Sequence, residues 1–298
     1  MILSHVSKVG VMGVGMVGGA VARWFERVGN KPFVYDKYKN LGSPDEINRG
    51  DVIFICVPTP YDEAGGGFNL SYVEDAINML REPKVVVIKS TVLPGTTEKL
   101  QNKYKQHKIL MNPEFLTQAS ADNDMAFPDR QIVGYTPDSY NVAGSVLRML
   151  PLAPFERIMP AGAAEMVKYF GNTWFAAKVV FANQMYDLCE KLGVDYDMVR
   201  DTASADKRIG PSHLHVWHKG YRGYGGACLP KDAKALVQLG DKLGSPQELL
   251  RLVDLLNQKL ISLPKKEEAG FQEDQEIAMR HDIAKFASAN LHIIPPQL

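Results

Sequence analysis

The chain has 298 residues, enough for two domains with separate cores, and its 45% hydrophobic and 23% charged content is that of an ordinary globular protein. Lys plus Arg and Asp plus Glu stand at 34 each, so no net basic field argues for nucleic acid, and no apolar run reaches the length that spans a bilayer. Cys56, Cys189 and Cys228 are odd in number and lack metal-ligand spacing, and the N-terminal stretch runs into a strand without a signal-peptide pattern, so a reducing cytoplasm and no metal are expected.

Lys8 to Met12 is a short apolar strand, followed by Gly13-Val14-Gly15-Met16-Val17-Gly18 and a helical pattern to about Val28. Glycines spaced in this way between strand and helix point to a dinucleotide. The first makes the turn, the second admits a pyrophosphate, and the third lets the helix pack on the strand. Lys31 to Tyr35 reads as a second strand ending at Asp36, an acidic side chain placed for the adenosine ribose hydroxyls. Its charge favours NAD over NADP, while Lys37 and Lys39 pull the other way. Asp51 to Val57 is apolar on both faces, as a central parallel strand should be, and ends in Pro58-Thr59-Pro60 at the sheet edge where such folds bind ligands. Asp62 to Gly67 reads as a flexible loop and Ser71 to Leu80 as a helix. The strand Lys84 to Lys89 leads into Ser90-Thr91-Val92-Leu93-Pro94-Gly95-Thr96-Thr97. Lys108 to Met111 delivers Asn112-Pro113-Glu114-Phe115-Leu116, and Gln131 to Tyr135, after Pro128-Asp129-Arg130, is expected to close the sheet. The alternation predicts an α/β fold, a doubly wound Rossmann-type parallel sheet over residues 1–160.

From Ala161 to Leu192 the pattern is helical throughout. Glu165, Lys168 and Asn172 share one helical face, where the plainer reading of the first two is a solvated ion pair. Asn172, among Met166, Val167, Trp174 and Phe175, marks a polar patch in an apolar helix. The helix is too apolar for a water-facing surface, which predicts a homodimer. Asp195 to Ala203 reads as a helix and Asp206 to Gly210 as a loop; His213, His215 and His218 lack the companions of a metal site. A flexible Gly225-Gly226 approach then leads to Cys228, with Pro230 suited to the first turn of a helix that reads from Asp232 to Leu243. A thiol beside a helix N-terminus and Lys231 is expected to have a lowered pKa; the plainer alternative is a structural cysteine. One more helix runs from Gln247 to about Ile261. Residues 161–262 are expected to form an α-helical dimerisation and substrate domain, and 263–298 a charged tail with no third domain.

Together these motifs resemble the nucleotide-sugar dehydrogenases of the UDP-glucose/GDP-mannose type. The matches follow family order from Gly13 to about Leu243: the glycine fingerprint, Val57-Pro-Thr-Pro60, Ser90-Thr-Val-x-Pro-Gly-Thr97, Asn112-Pro-Glu-Phe-Leu116, Pro128-Asp-Arg130, Lys168-x-x-x-Asn172, Arg208-Ile-Gly210 and Gly225-Gly-x-Cys-x-Pro-Lys-Asp232. The resemblance implies a four-electron oxidation of a primary alcohol on a sugar nucleotide to a carboxylate, using two NAD. In that chemistry Cys228 adds to an aldehyde, the thiohemiacetal is oxidised to a thioester, and water releases the acid. Lys168 and Asn172 would donate to the oxygen that becomes negative, Asp232 and Glu114 would assist proton transfer, and Thr91 would hold water or the substrate hydroxyl. The resemblance places Gly13, Val14, Gly15, Met16, Val17, Gly18, Asp36, Val57, Pro58, Thr59, Thr91 and Lys231 around NAD. Around the substrate it places Glu114, Phe115, Leu116, Lys168, Asn172, Gly225 and, from a neighbouring subunit, Arg208. Three departures stand out: the segment Lys37–Gly50 is short, Gln118 replaces a family glutamate, and the family's third domain is not seen. Two rivals stay open, a two-electron hydroxy-acid dehydrogenase of the 6-phosphogluconate type, which has no need of Cys228, and an NAD-binding protein without turnover.

Overall fold

The computed structural model describes residues 7–62 and 67–265. The first strand, β1 (Val9–Met12), is buried throughout and turns directly into α1 (Met16–Arg27), which buries Val21 and Phe25 against it. β2 (Phe33–Tyr35) follows, then a one-turn helix, α2 (Pro44–Ile47), that the sequence pattern does not announce; Ser43 caps it by accepting from Glu46 N. β3 (Val52–Ile55) leads to a small hairpin, β4 (Tyr61–Asp62) with β5 (Gly67–Phe68), where a loop is expected; residues 63–66 of that loop lie outside the described residues. Next come α3 (Ser71–Asn78), β6 (Val85–Ile88), α4 (Thr96–Lys103), β7 (Lys108–Met111), α5 (Ala121–Ala126), β8 (Arg130–Tyr135), α6 (Tyr140–Met149) and β9 (Phe155–Pro160).

The main sheet has the order β2-β1-β3-β6-β7-β8-β9. Alternate residues of one strand enter opposite cores. Val86 and Ile88 of β6 pack with Ile47, Ile77 and Leu100, while Val85 and Val87 pack with Phe25, Val142 and Val146. β-Branched residues buried on both faces are what a central parallel strand requires. The doubly wound, mainly parallel sheet is as expected, but the Gln131–Tyr135 strand does not close it. β8 runs antiparallel to β7, pairing Met111 with Gly134, and β9 extends the sheet beyond it, parallel to β8. The segment after Met111 and the short α5 leave the chain at the carboxyl edge of the parallel strands, so β8 starts there and runs back.

The long helix α7 (Ala161–Leu192) has the expected bounds, followed by α8 (Tyr196–Ser204), capped by Asp195. A second hairpin, β10 (Trp217–His218) with β11 (Tyr221–Arg222), precedes α9 (Leu229–Lys242) and α10 (Glu248–Ile261). Two compact units result. One comprises, among the described residues, 7–62, 67–181 and 224–257, so about the first two thirds of α7, to Phe181, belongs with the sheet. The other holds 182–223 and, among the described residues, 258–265. Its core gathers Ala182, Cys189, Tyr196, Leu214 and Val216. There Arg222 is buried, donating to Asn183 Oδ1 at 2.8 Å and to Asp187 Oδ1 at 2.6 Å. The tail expected beyond Ser262 lies, from residue 266, outside the described residues.

Candidate active site

β1 delivers Gly13 into α1 with φ +83°, and a Cβ there would stand 2.8 Å from the Cys56 carbonyl oxygen, so the turn admits only glycine. A Cβ on Gly18 would meet the Gly13 carbonyl oxygen at 1.9 Å, which makes this the close helix–strand contact. Gly15 is the opposite case: among the described residues a Cβ there would meet nothing within 4 Å. As N-cap of α1, Gly15 makes no side-chain hydrogen bond to the first-turn amides. An open, amide-lined helix start suits a pyrophosphate. At the end of β2, Asp36 Oδ2 accepts from Val14 N at 2.8 Å and Oδ1 from Tyr38 N at 3.0 Å. Lys39 Nζ donates to Val14 O at 2.6 Å. Thr59 Oγ1 donates to Thr91 O at 2.7 Å and Ser90 Oγ to Val57 O at 2.6 Å, binding the Val57–Pro60 and Ser90–Thr97 loops together at the same sheet edge. These residues fit a dinucleotide.

A second cluster joins α7, α9 and the loop after β7. Lys168 Nζ donates to Glu114 Oε1 at 2.7 Å, with both side chains under a tenth exposed (7% and 8%). Glu114 Oε2 accepts from Leu116 N at 2.8 Å, which shapes its own loop. The Phe115 ring faces Arg130 at 3.9 Å and Lys168 at 5.9 Å. One turn along α7, Asn172 Nδ2 donates to Asp232 Oδ2 at 2.5 Å, and Asp232 Oδ1 accepts from Lys231 Nζ at 2.6 Å. Asp232 is fully buried. Cys228 is the N-cap of α9, and Lys168, Glu114, Lys231 and Asp232 all act electrostatically on its thiol. Asn257 holds Tyr224 from both sides, accepting from its N–H at 2.7 Å and donating to its carbonyl at 2.9 Å, and so sets the path through Gly225 to Cys228. Arg208 belongs to the other unit, where it is exposed and paired with Asp206 at 2.5 Å.

The structure corrects two electrostatic expectations. Cys228 is exposed as a residue, yet the protein around its thiol desolvates it enough to push its pKa up, not down. Lys168 and Lys231 favour the thiolate, but Glu114 and Asp232 oppose it, so the helix start and one lysine do not prevail. The plainer reading of Glu165 and Lys168 as a solvated pair does not hold either. Glu165 is fully buried and accepts from Gly95 N at 2.6 Å, Thr97 N at 2.8 Å and Thr97 Oγ1 at 2.6 Å, at the start of α4. Glu98 of α4 returns the arrangement, accepting from Gly162 N at 3.0 Å at the start of α7. Each helix caps the other.

Burial pushes Glu165 up to about 7 against its hydrogen bonds from Thr97 and Gly95, and Glu98 adds to the rise. A carboxyl whose folded-state value is raised stabilises the fold fully below its unfolded value near 4.5, and that contribution is lost as the pH rises through about 7. A rise of this size corresponds to about 3 kcal/mol. The melting temperature is therefore expected to fall between pH 5 and 8, and Glu165→Gln to flatten that fall. An equally steep fall in the variant would remove Glu165 as its source.

Comparison with known proteins places this geometry. The family model described as the UDP-glucose/GDP-mannose dehydrogenase family NAD binding domain matches residues 38–149, and the same family's central domain matches residues 162–259. A solved UDP-glucose dehydrogenase from the hyperthermophilic archaeon Pyrobaculum islandicum is 30% identical with a TM-score of 0.75, the match covering 85% of this chain and 68% of that one. The chain belongs to the UDP-glucose/GDP-mannose dehydrogenase family. Curated relatives agree: a UDP-glucose 6-dehydrogenase of Pseudomonas aeruginosa is 38% identical over 70% of this chain, and UDP-glucose 6-dehydrogenase TuaD of Bacillus subtilis 30% over 85%. The chain spans 48% of the first and 63% of the second. With the family's NAD binding domain in the sheet unit, NAD is the cofactor. Membership in this family sets aside the 6-phosphogluconate-type reading.

Within the family fold, some residues that build the site give little signal in sequence. Lys89 ends an apolar strand and is buried, its Nζ donating to Asn112 Oδ1 at 2.7 Å while Asn112 Nδ2 bonds Gln131 Oε1 at 2.9 Å. That chain ties β6, β7 and β8 at the edge that carries Thr91 and Glu114. A lysine closing a four-residue apolar strand is the one cue available. Asn257 sits inside a helical pattern and has none.

Proposed function

We propose that the chain acts in the NAD-dependent oxidation of a primary alcohol on a sugar nucleotide to its carboxylate, the activity of a UDP-glucose 6-dehydrogenase. The observation that carries this reading is the convergence of Cys228 with the Lys168–Glu114 and Asn172–Asp232 pairs. NAD supplies the hydride acceptor for both oxidations. Once deprotonated, the Cys228 sulfur adds to the aldehyde carbon and the carbonyl electron pair moves to oxygen. Lys168 and Asn172 donate to that oxygen, each such donor contributing roughly 3 kcal/mol in comparable sites. At the thioester stage water adds, Glu114 or Asp232 takes its proton, and the C–S bond breaks to return the thiol and release the acid. Thr91 holds the substrate hydroxyl, while Phe115, Leu116 and Gly225 border the sugar, with Arg208 reaching in from a neighbouring subunit. Incubated with NAD and a panel of sugar nucleotides, the protein is expected to yield two NADH and one carboxylate per substrate. One NADH and a ketone, or NAD binding without turnover of any of them, defeats the reading.

A homodimer through α7 completes the proposal. Met166, Phe170, Trp174 and Phe181 lie along one helical face and are between 44% and 73% exposed, an apolar stripe that favours a partner over water. Sedimentation is expected to show a dimer at micromolar concentration and Phe170→Asp to shift it toward monomer; a stable monomer of the unaltered protein defeats this. Three free thiols, Cys56, Cys189 and Cys228, suit a reducing cytoplasm.

A further inference from the structure

The β4–β5 hairpin takes no part in the steps above, yet it reaches the reactive cluster. Tyr61 pairs with Phe68 and Asp62 with Gly67, and Asn69 N donates to Pro60 O at 2.9 Å, which fixes Phe68 beside the Val57–Pro60 loop. Lys231 Nζ stands 4.6 Å from the centroid of the Phe68 ring. The same ring stacks on Tyr169, with centroids 6.5 Å apart and planes 24° from parallel. Tyr169 is fully buried, one residue after Lys168, and packs with Phe68, Leu93, Ala235 and Leu236 in one apolar cluster. Lys231 is thus held by a ring and by the Asp232 carboxylate, although 22% of its side chain remains exposed. A lysine with that much exposure and a flexible four-carbon stem would otherwise sample open solvent. The negative face of an aromatic ring attracts an ammonium and shields it from water on that side.

We propose that Phe68 is a positioning residue for the reactive centre: its ring pins the Lys231 ammonium against Asp232 and so keeps that cation beside the Cys228 thiol. This rests on reading Cys228 as the reactive group. The charged groups that act on the thiol are Lys168 of α7, Glu114 in the loop after β7, and Lys231 and Asp232 of α9. The two cations lower the thiol's pKa and the two carboxylates raise it, so displacing any one of them changes how readily the thiol ionises. Lys168 is locked by its buried pair with Glu114. Lys231 is the more exposed of the two cations and has the nearer ring, Phe68 at 4.6 Å against 5.9 Å from Lys168 to Phe115.

The test is the pH dependence of Cys228 alkylation by iodoacetamide, followed by peptide mass. It needs no turnover, so it stands apart from the proposed oxidation. Cys189 is buried and burial pushes the Cys56 thiol to about 12, which leaves Cys228 as the exposed thiol for alkylation. Phe68→Leu is expected to raise the alkylation midpoint by about half a pH unit and slow the reaction at pH 7.5 about threefold, equivalent to about 0.7 kcal/mol. Phe68→Tyr should keep the original profile, and Phe68→Leu added to Lys231→Met should change nothing further. Phe68→Met serves the same purpose if the leucine variant does not fold. An unmoved midpoint in the leucine or methionine variant, or an equal shift in the Lys231→Met background, overturns the proposal. Absence of sugar-nucleotide turnover in the unaltered protein would count against the oxidation and not against this placement.

Discussion

Cys228→Ser is expected to lower formation of the carboxylate by ~10³-fold or more, the scale on which enzymes lose rate when a nucleophile is removed, while NAD binding is retained. The cofactor cradle proposed here is built mainly from β1, α1 and Asp36, whereas Cys228 starts α9, so the two proposed roles fall largely on different elements. A serine hydroxyl is a poor nucleophile at neutral pH without a base to take its proton. Any ester that did form would also hydrolyse slowly. The NADH yield per substrate should drop from two to at most one, measured by absorbance with product mass, while titration shows unchanged NAD affinity. Acid formation at the unaltered rate would falsify the covalent role.

Lys168→Met is expected to produce two losses that separate on rescue. Removing the ammonium leaves Glu114 buried without its partner, and breaking a buried pair from one side typically costs about 3–5 kcal/mol. Removing a donor to the developing oxyanion costs about 10²–10³ in kcat. Adding Glu114→Gln to Lys168→Met takes away the uncompensated charge, so urea unfolding should recover most of the stability while kcat stays low. Recovery of both would make Lys168 only a structural counter-ion. Failure to recover stability would show that the cost lies elsewhere than in the Glu114 charge.

Much of this molecule is legible before its fold is known. The glycine fingerprint is legible because its demands are steric and local: a Cβ on Gly18 would lie 1.9 Å from the Gly13 carbonyl oxygen. The bounds of α7 are legible because no proline interrupts its 32 residues. β9 is not, since its residues Phe155–Pro160 lie mostly exposed at a sheet edge and show no apolar run. The two hairpins have two residues per strand, too few for an alternating pattern to register.

The sequence by itself determined which chemical groups end each strand and open each helix: the glycines after β1, Asp36 after β2, Glu114 after β7, and Cys228, Lys231 and Asp232 at the start of α9. Only the tertiary structure decided which group faces which. Glu165 and Lys168 are neighbours on one helix, yet Glu165 bonds Thr97, 68 positions away, and Lys168 bonds Glu114, 54 positions away. Cys228 likewise has a lysine and a helix start beside it in sequence, which favour a thiolate, while burial together with Glu114 and Asp232 keeps the thiol protonated more strongly than usual. Ionisation depends on distances through space and on lost water, and neither is set by spacing along the chain.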